Sequence, residues 1–565
     1  MELTSFLLRT LFIGAIVVNG LDVCAQSATP YIPTPAQLGD KFPGVTAGNP
    51  DVPTLTAPVP PQLRRPEGNF SIDVKKYVVS DGAPRALRNA LDSITKDYVG
   101  PNRSFSDVSE AARQVTRYLQ SELGYYLGFA YLPTQEPVDG IVRIEVLEGR
   151  LDGSVELVWD ADSCGCRSVV EGYLAELSSG SVLLVRDVER VVFLINDLRG
   201  ISAEFEVSSG SQPGTAKLVA RVTTRIGTKW SVDSDNANSK YLGSYRAGAS
   251  YFLSSPFGRG DSFSVNAKAA AGLQFLLANY TTPVGSSGLR VGASLSDLSY
   301  QIDKQYFALG LRGTATSASI FGLYPYIRSR NVNLFYSLSA DSKEYSDFNG
   351  IVESPKTVVS AVLGITGDTH DSILSGGINS YGLNLTQGSV KYAQAQAGTP
   401  VADSFQKVDL TLSRLQNIWS RHMQLFGSLK LQQTAQNLDV TEQFHAGGTD
   451  GVRAFTEGEG SADNGLMYTL ELRILVPGNW LPSNSQGYFS AFYDGAKMLK
   501  HSDTSAESVG FVNELNYGGS GVGFTFTTDS GWELRASFAN RTTGVSLDPS
   551  DTSTSQFYVQ ASKHF

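Results

Sequence analysis

Hydrophobic residues recur at every second position from about Trp230 to Phe565, and this period constrains the second half of the chain to β-strands. One face of residues 466–476 carries, in order, Leu466, Tyr468, Leu470, Leu472, Ile474 and Val476. The opposite face carries Thr469, Glu471 and Arg473. Successive side chains of a strand point to opposite faces, whereas a helix repeats about every 3.6 residues. The sequence therefore predicts a large all-β unit in residues 229–565.

This alternation fits both a soluble sandwich, whose apolar face is inside, and a transmembrane barrel, whose apolar face contacts lipid. Three features favour the barrel. The polar face repeatedly carries ionised residues, the strands are long for a sandwich, and Phe565 ends an aromatic-rich final segment. About eleven candidate strands precede the glycine-rich segment 447–465 and about five follow it. We therefore expect a transmembrane β-barrel of about sixteen strands, which encloses water unless something plugs it.

Residues 70–225 carry a different pattern, in which the order β-α-α-β-β occurs twice. The repeat predicts one α/β module at 70–150 and a second at 151–225. In the second module we expect a strand at 154–159, helices at 168–177 and 187–198, and strands at 202–207 and 216–222. Each module has an exposed sheet edge, which is a natural template for a guest strand.

The first module begins with a short alternating strand and continues with two helices. The alternating residues are Phe70, Ile72 and Val74. Its other predicted elements are a helix after Pro84 and strands at 126–132 and 141–147. The second helix is expected to begin at Asp107, because Glu110 three residues later would complete a capping box. The same helix is expected to end at Gly124.

The N-terminus carries the features of an export signal followed by an extended arm. Residues 11–18 form an apolar core preceded by Arg9, and residues 23–25 resemble a small-residue cleavage site, so 1–25 is predicted to be a signal peptide. Ten of the 23 prolines lie between Pro30 and Pro66, which predicts a Pro-rich arm or linker at 26–69. Of the three cysteines, Cys164 and Cys166 would remain after cleavage, and whether they form a disulfide stays open.

Composition and motifs argue against several classes of protein. The net charge of −10 disfavours nucleic acid as a partner, because phosphate binding needs a basic face. The sequence contains no phosphate-binding GxxxxGK[ST] loop, no HExxH and no GxSxG elbow. His445, beside the glycine-rich segment, is better explained as a lumen or loop residue than as a catalytic base. We expect no catalysis, no cofactor and no metal.

Two short motifs in the predicted barrel carry the most specific information. Residues 447–455 read Gly-Gly-Thr-Asp-Gly-Val-Arg-Ala-Phe, and residues 489–496 read Phe-Ser-Ala-Phe-Tyr-Asp-Gly-Ala. With these motifs and its order of segments, the chain resembles the two-partner secretion transporters, the haemolysin secretion/activation proteins related to the exporter of filamentous haemagglutinin. The resemblance covers nearly the whole mature chain. It implies two POTRA modules in the periplasm and a sixteen-stranded barrel in the bacterial outer membrane.

In that family the first motif forms the tip of a long loop that folds back into the barrel lumen, here near residues 442–465. The site residues implied on the loop are Gly448, Val452, Arg453, Ala454 and Phe455. Ala454 stands where the family usually has glycine, and would cost about 1 kcal/mol if that position needs a positive φ.

The second motif resembles the family strand whose aspartate meets the loop arginine, which implies Asp494 and Gly495 as the partner of the loop. The alternation agrees with this orientation, because Phe489, Ala491 and Tyr493 occupy the lipid face and Asp494 therefore points into the lumen. An arginine and a carboxylate inside a barrel are expected to pair. The alternative is that both are ordinary solvated lumen charges.

The resemblance implies that the POTRA modules capture an unfolded exoprotein, usually a large β-helical adhesin or haemolysin, and that the barrel secretes it by the two-partner, type V route. Whether export also activates that partner is left open. The resemblance further implies insertion by the barrel-assembly machinery and a monomeric transporter. The alternatives are a barrel-assembly insertase, which usually has more POTRA modules, and a passive porin-like channel, which has no need of such modules. Closely spaced prolines at Pro33, Pro35 and Pro43 argue against a full plug helix in the arm.

Overall fold

The computed structural model describes residues 71–159, 165–225, 227–302, 310–394, 400–418, 422–547 and 551–565. The predicted signal peptide, the predicted Pro-rich arm with the question of its plug helix, Phe70 and Cys164 lie outside the described residues. None of the helices in the described ranges combines the length and hydrophobicity that crossing a bilayer requires.

The first α/β unit contains the predicted β-α-α-β-β order with an additional two-stranded ladder. Its elements are β1 (Ser71–Val74), β2 (Lys76–Val79), α1 (Arg85–Thr95), a 3₁₀ turn (Lys96–Tyr98), β3 (Gly100–Ser104), α2 (Phe105–Ser121), β4 (Phe129–Tyr131) and β5 (Ile141–Leu147). The main sheet has the order β2-β5-β4, with β2 parallel to β5, whereas β1 pairs only with β3. The residues around Ile72 therefore belong to the added ladder, and β2 supplies the first strand of the sheet.

Helix α2 begins earlier than predicted. Its N-cap is Ser104, whose hydroxyl accepts a hydrogen bond from the Asp107 amide at 3.2 Å, while the Asp107 carboxylate accepts one from the Ser104 amide at 2.9 Å. The expected capping box of Asp107 and Glu110 is wrong, because Asp107 occupies the third helical position of a box that Ser104 opens. The helix ends at Ser121, and Gly124 then turns the chain with φ of 67°.

In the second α/β unit, three strands pair with one central strand. Its elements are β6 (Arg150–Leu151), β7 (Glu156–Trp159), α3 (Arg167–Leu174), α4 (Val185–Asn196), β8 (Ile201–Ser209) and β9 (Thr215–Thr224). The central β9 is parallel to β6 and β7 and antiparallel to β8. Cys166 is fully buried at the start of α3 and is disulfide-bonded.

The two α/β units share packing across the predicted boundary at 150. The Tyr126 amide donates to the Leu183 carbonyl at 2.8 Å, and the Val185 amide donates to the Gly124 carbonyl at 2.9 Å. Leu127, from the first unit, belongs to the hydrophobic core of the second. A cut at residue 150 would therefore remove part of the second core as well.

Sixteen antiparallel strands close into a barrel, which confirms the predicted fold. The first eleven are β10 (Thr228–Asp235), β11 (Arg246–Ser254), β12 (Ser262–Ala270), β13 (Leu273–Pro283), β14 (Arg290–Gln301), β15 (Arg312–Arg328), β16 (Val332–Phe348), β17 (Glu353–Asp371), β18 (Gly377–Tyr392), β19 (Ser404–Asn417) and β20 (Met423–Thr434). After a short ladder of β21 (Phe444–His445) with β22 (Ser461–Ala462), the last five are β23 (Asn464–Leu475), β24 (Ser485–Leu499), β25 (Glu514–Thr528), β26 (Trp532–Thr543) and β27 (Ser555–His564).

The barrel closes where β27 pairs with β10, over five residue pairs from Ser231 with His564 to Asp235 with Gln560. The terminal Phe565 completes this seam. Its ring stacks on the Trp230 ring with centroids 3.7 Å apart, and its amide donates to the Trp230 carbonyl at 2.9 Å. The outer surface carries the apolar face that the alternation predicts, with Leu295, Ile320 and Leu338 each more than 60% exposed.

The inner surface is less uniformly polar than the alternation suggests. Near the end of the barrel remote from the α/β units, inward-facing apolar side chains of β13 to β19 form one buried cluster. Residues outside the strands cover it. The covering side chains are Leu242, Ile302 and Leu438. Apolar packing therefore lines the part of the inner wall that β13 to β19 form at this end of the barrel.

Candidate functional site

The segment between β20 and β23 folds back into the barrel, at the end remote from the α/β units. Antiparallel order places it there, because β10 starts next to β9 and β20 is the eleventh strand. We call residues 449–457 its tip. Val452, Ala454 and Phe455 have no exposed surface. The tip is held in a tight turn, in which the Val452 amide donates to the Ala446 carbonyl at 2.7 Å and the Phe455 amide to the Val452 carbonyl at 3.0 Å.

Arg453 brings the tip onto the barrel wall through two carboxylates. Its Nε and Nη2 each lie 2.9 Å from an oxygen of Asp494 on β24, a bidentate arrangement. Its Nη1 lies 2.8 Å from Glu471 on β23, and its guanidinium carbon lies 3.3 Å from the centre of the Phe492 ring. The Asp494 side chain is 0% exposed and also accepts a hydrogen bond from Thr469 at 2.9 Å. The two predicted residues are thus in direct contact and are not separately solvated, whereas their functional role stays a prediction.

A second group of wall residues fixes the tip, and sequence reasoning did not find it. Arg541 on β26 donates from Nε to the Ala454 carbonyl at 3.0 Å, and its guanidinium lies 4.7 Å from the Phe455 ring centre. The Phe455 ring stacks on Tyr517 of β25 with centroids 3.9 Å apart, and the Tyr558 hydroxyl donates to the Phe455 carbonyl at 2.7 Å. These contacts join residues between 62 and 103 positions apart, so no local motif points to them.

The alanine at position 454 fits this wall without backbone strain. Ala454 is not among the non-glycine residues with positive φ in the described part of the chain, so the expected cost of about 1 kcal/mol does not arise. Its methyl group instead faces Gly519 on β25, where an added Cβ would lie 2.5 Å from the Ala454 Cβ. Glycine at 519 therefore provides the space that the methyl group occupies.

The two predicted glycines, Gly448 and Gly495, lie in different environments. Gly448 has φ of 118°, and a Cβ there would lie 2.3 Å from the Glu457 carboxylate, so this position needs glycine for both reasons. Gly495 does not face the loop. Because Asp494 points inward, its neighbour points outward, and a Cβ on Gly495 would lie 2.4 Å from the Tyr468 ring.

Replacing Gly519 with alanine is expected to loosen the tip, because the new methyl group cannot share space with that of Ala454. Overpacking of this kind costs about 1–3 kcal/mol, and it should speed hydrogen exchange at the amides of Val452 and Phe455. Adding Ala454→Gly to the same protein should return exchange to the original rate. Equal exchange in the single and double variants would show that size complementarity does not hold the tip.

At the opposite end, the second α/β unit contacts the rim of the barrel. Arg328, at the end of β15, forms a bidentate pair with Asp197 next to α4, with distances of 2.9 and 2.8 Å, and its side chain is 4% exposed. Its guanidinium also lies 4.7 Å from the Phe193 ring centre. Nearby, Arg190 of α4 donates to the Pro325 carbonyl at 2.8 Å. The rim contact is therefore a mostly buried ion pair, with the Asp197 side chain 17% exposed, and side chains pack around it.

Burial changes the pKa of two side chains in and just after α3, Tyr173 and Glu176. Burial raises the pKa of Tyr173 to about 12, so the phenol is neutral at physiological pH. Burial also raises the pKa of the Glu176 carboxyl, and the positive charge of Arg190 opposes that shift. Within the described ranges no three His, Cys, Asp or Glu side chains are grouped as a metal site would need. The expectation of no metal and no cofactor stays a prediction.

Comparison with known proteins gives two family matches. The model of the haemolysin secretion/activation protein family ShlB/FhaC/HecB matches residues 214–525, and the POTRA domain of ShlB type matches residues 72–149. Among curated proteins, the heme/hemopexin transporter protein HuxB of Haemophilus influenzae strain 86-028NP is 24% identical over 472 residues, which are 80% of each chain.

Solved structures show the same fold at low identity. CdiB from Escherichia coli superposes with a TM-score of 0.69 at 19% identity, over 91% of this chain and 93% of that one. BamA from Haemophilus ducreyi lacking POTRA domains 1–3 gives a TM-score of 0.53 at 13% identity, over 88% of this chain and 100% of that one. Both likenesses extend over the barrel and the α/β region together.

Proposed function

Because this chain belongs to the haemolysin secretion/activation protein family ShlB/FhaC/HecB and is an outer-membrane transporter of exoproteins, we propose that its α/β units capture the polypeptide and its lumen loop gates the barrel. The units lie in the periplasm, and the far end of the barrel faces the cell surface. The observation that carries the gating proposal is the tip itself, which Arg453 fixes inside the barrel to Asp494 and Glu471. A polypeptide can pass only after the tip leaves that position.

The outer edge of β8 is the best candidate for capture. In the described part of the chain, β8 pairs on one side only, with β9. At Ala203 the free side is occupied by Asn196 of α4, which accepts from the Ala203 amide at 2.9 Å and donates to its carbonyl at 3.2 Å. Phe205 and Val207 share the orientation of Ala203, because backbone groups alternate along a strand. Their main-chain groups therefore face the open edge, where a guest strand can pair with many different sequences.

Replacing Val207 with proline tests this edge without disturbing the β8–β9 ladder, because the lost amide points away from β9. We expect about a tenfold loss in binding of the urea-unfolded exoprotein to the purified full-length chain, and a similar loss of secretion. The exoprotein is identified as the polypeptide missing from the medium of cells that lack this transporter. Val207→Ala, which keeps the amide, is the matched control and should bind normally. Full binding by Val207→Pro would show that capture occurs elsewhere.

We propose that the exported partner is a large β-helical adhesin or haemolysin, and that the transporter acts as a monomer without catalysis. A repetitive β-structured partner suits an edge that reads main-chain hydrogen bonds rather than a particular sequence. One chain supplies every strand of the closed barrel, including the β10–β27 seam, which supports the monomer. The charged groups around the tip are engaged with one another, an arrangement that favours a structural role.

The fold likeness to BamA makes a barrel-assembly insertase the second candidate. The two functions differ in what a deletion removes. Loss of a secretion transporter should remove one polypeptide from the cell surface and medium and leave other outer-membrane proteins at their normal levels. A general fall in outer-membrane barrels would favour the insertase.

A further inference from the structure

The lumen loop has a second ionic contact with the barrel, well separated from its tip. We call residues 437–445 its root. Glu442 of the root lies 2.7 Å from Lys343 of β16 and 3.1 Å from Lys407 of β19. Asp439 lies 2.9 Å from Lys356 of β17. Both carboxylate side chains are 5% exposed. These contacts lie on the β16–β19 wall, whereas Arg453 contacts β23 and β24, so the loop bridges two different sides of the lumen.

Hydrogen bonds and packing reinforce the root. Lys407 also donates to the Glu442 carbonyl at 2.8 Å, and the Tyr392 hydroxyl donates to Asp439 at 2.5 Å. The Leu438 side chain belongs to the apolar cluster of the inner wall. The Leu438 backbone amide donates to the carboxylate of Asp463 at 3.0 Å, and Asp463 is 0% exposed. Moving the root would separate buried opposite charges and expose apolar surface at the same time, which makes that movement costly.

Glycines separate the root from the tip on both sides. Gly448 precedes the tip with φ of 118°, and Gly458 and Gly460 follow it with φ of 74° and 79°. The β21–β22 ladder, which pairs Phe444 at the end of the root with Ala462, lies on the root side of these glycines. Hinges are a few positions that absorb a large change in φ and ψ, and the glycines stand where such a change would leave the ladder intact.

We propose that Lys343, Lys356 and Lys407 are positioning residues that hold the root on the barrel wall throughout secretion, so that only the tip moves, about the glycines on either side of it. This inference rests on the gating role proposed above and adds the division of the loop into a fixed and a moving part. The lysines face the lumen and act through the two root carboxylates. Their role is to keep the tip aligned with Asp494 each time it returns.

Two disulfide tethers separate this inference from the gating proposal. The root tether joins Ala402→Cys to Asn437→Cys, positions already linked by a backbone hydrogen bond of 3.0 Å from the Ala402 amide to the Asn437 carbonyl. The tip tether joins Ala454→Cys to Gly519→Cys, where the tip must retreat by about 1 Å to reach disulfide geometry. Each reduced variant is the control for its own substitutions, and the unsubstituted protein with reductant controls for Cys166.

The oxidised root tether is expected to secrete within about twofold of its reduced form, whereas the oxidised tip tether should lower secretion at least tenfold. A tenfold loss with the root tether would overturn the fixed root and leave the gate standing. Normal secretion through a fully oxidised tip tether would instead refute the gate.

The lysines are tested by rescue. Lys343→Met combined with Lys407→Met should lower secretion about tenfold, while Lys391→Met, at an exposed position on β18, should have no effect. Adding the oxidised root tether should restore secretion, and reducing it should remove the rescue. A tether that forms but does not rescue would overturn the positioning role. If the double variant does not assemble, Lys407→Met alone with the same tether gives the same two outcomes.

Discussion

Replacing Arg453 with alanine is expected to reduce secretion at least tenfold and to raise the ion conductance of the inserted barrel. The substitution leaves the carboxylates of Asp494 and Glu471, with side chains 0% and 7% exposed, without their shared guanidinium. Removing one partner of a buried ion pair costs about 3–5 kcal/mol, which is enough to shift the tip away from the wall in most molecules. Asp494→Ala should act in the same direction, because it leaves the arginine without its bidentate partner.

Arg473→Ala is the matched control for this prediction. Arg473 also contacts Glu471, at 2.8 Å, but lies on β23 beside it and not on the loop. It should therefore leave conductance and secretion nearly unchanged. Arg453→Lys should be intermediate, because an ammonium keeps the charge and loses the planar two-point contact. Planar-bilayer conductance and the amount of secreted polypeptide measure the two effects. Unchanged secretion in both Arg453→Ala and Asp494→Ala would remove the role of the pair.

Replacing Asp197 with alanine is expected to release the second α/β unit from the barrel rim. Arg328 would remain 4% exposed beside Phe193 with no carboxylate, and the cost again is about 3–5 kcal/mol. Hydrogen exchange should rise in residues 255–261, the rim turn whose Gly260 carbonyl accepts from the Arg199 amide at 3.1 Å. Secretion should fall several-fold, because a polypeptide held on β8 is then no longer delivered to a fixed position under the barrel.

The control is Asp187→Ala, on the same helix α4, where the aspartate is 48% exposed and pairs only with its neighbour Arg186 among the ion pairs described. Surface pairs of this kind contribute about 0–1 kcal/mol, so exchange at the rim should not change. If Asp197→Ala protects residues 255–261 as well as the unsubstituted protein does, the ion pair does not hold the unit in place.

The strands of this protein follow from the alternation of neighbouring residues and can therefore be predicted from the sequence. Each strand alternates between lipid and lumen, so the predicted count of eleven strands before the lumen loop and five after it matches the structure. The same rule placed Asp494 inward and, applied one residue further, places Gly495 outward against Tyr468. The predicted start of α2 was less accurate. Ser104 and Asp107 are both favourable N-cap residues, and only the folded chain shows that Ser104 caps the helix.

By itself, the amino-acid sequence determined the alternation of the strands, the division into α/β and barrel regions, and the loop motif around Arg453. Each of these features depends on residues that are close together along the chain. Only the tertiary structure decided which groups meet Arg453 and its neighbours, since Arg541 contacts the tip from 87 positions away and Lys343 contacts the root from 99. It also decided that Ala454 is accommodated by Gly519. Such contacts depend on barrel closure and on the path of the loop through the lumen, and neither is encoded in any short stretch of residues.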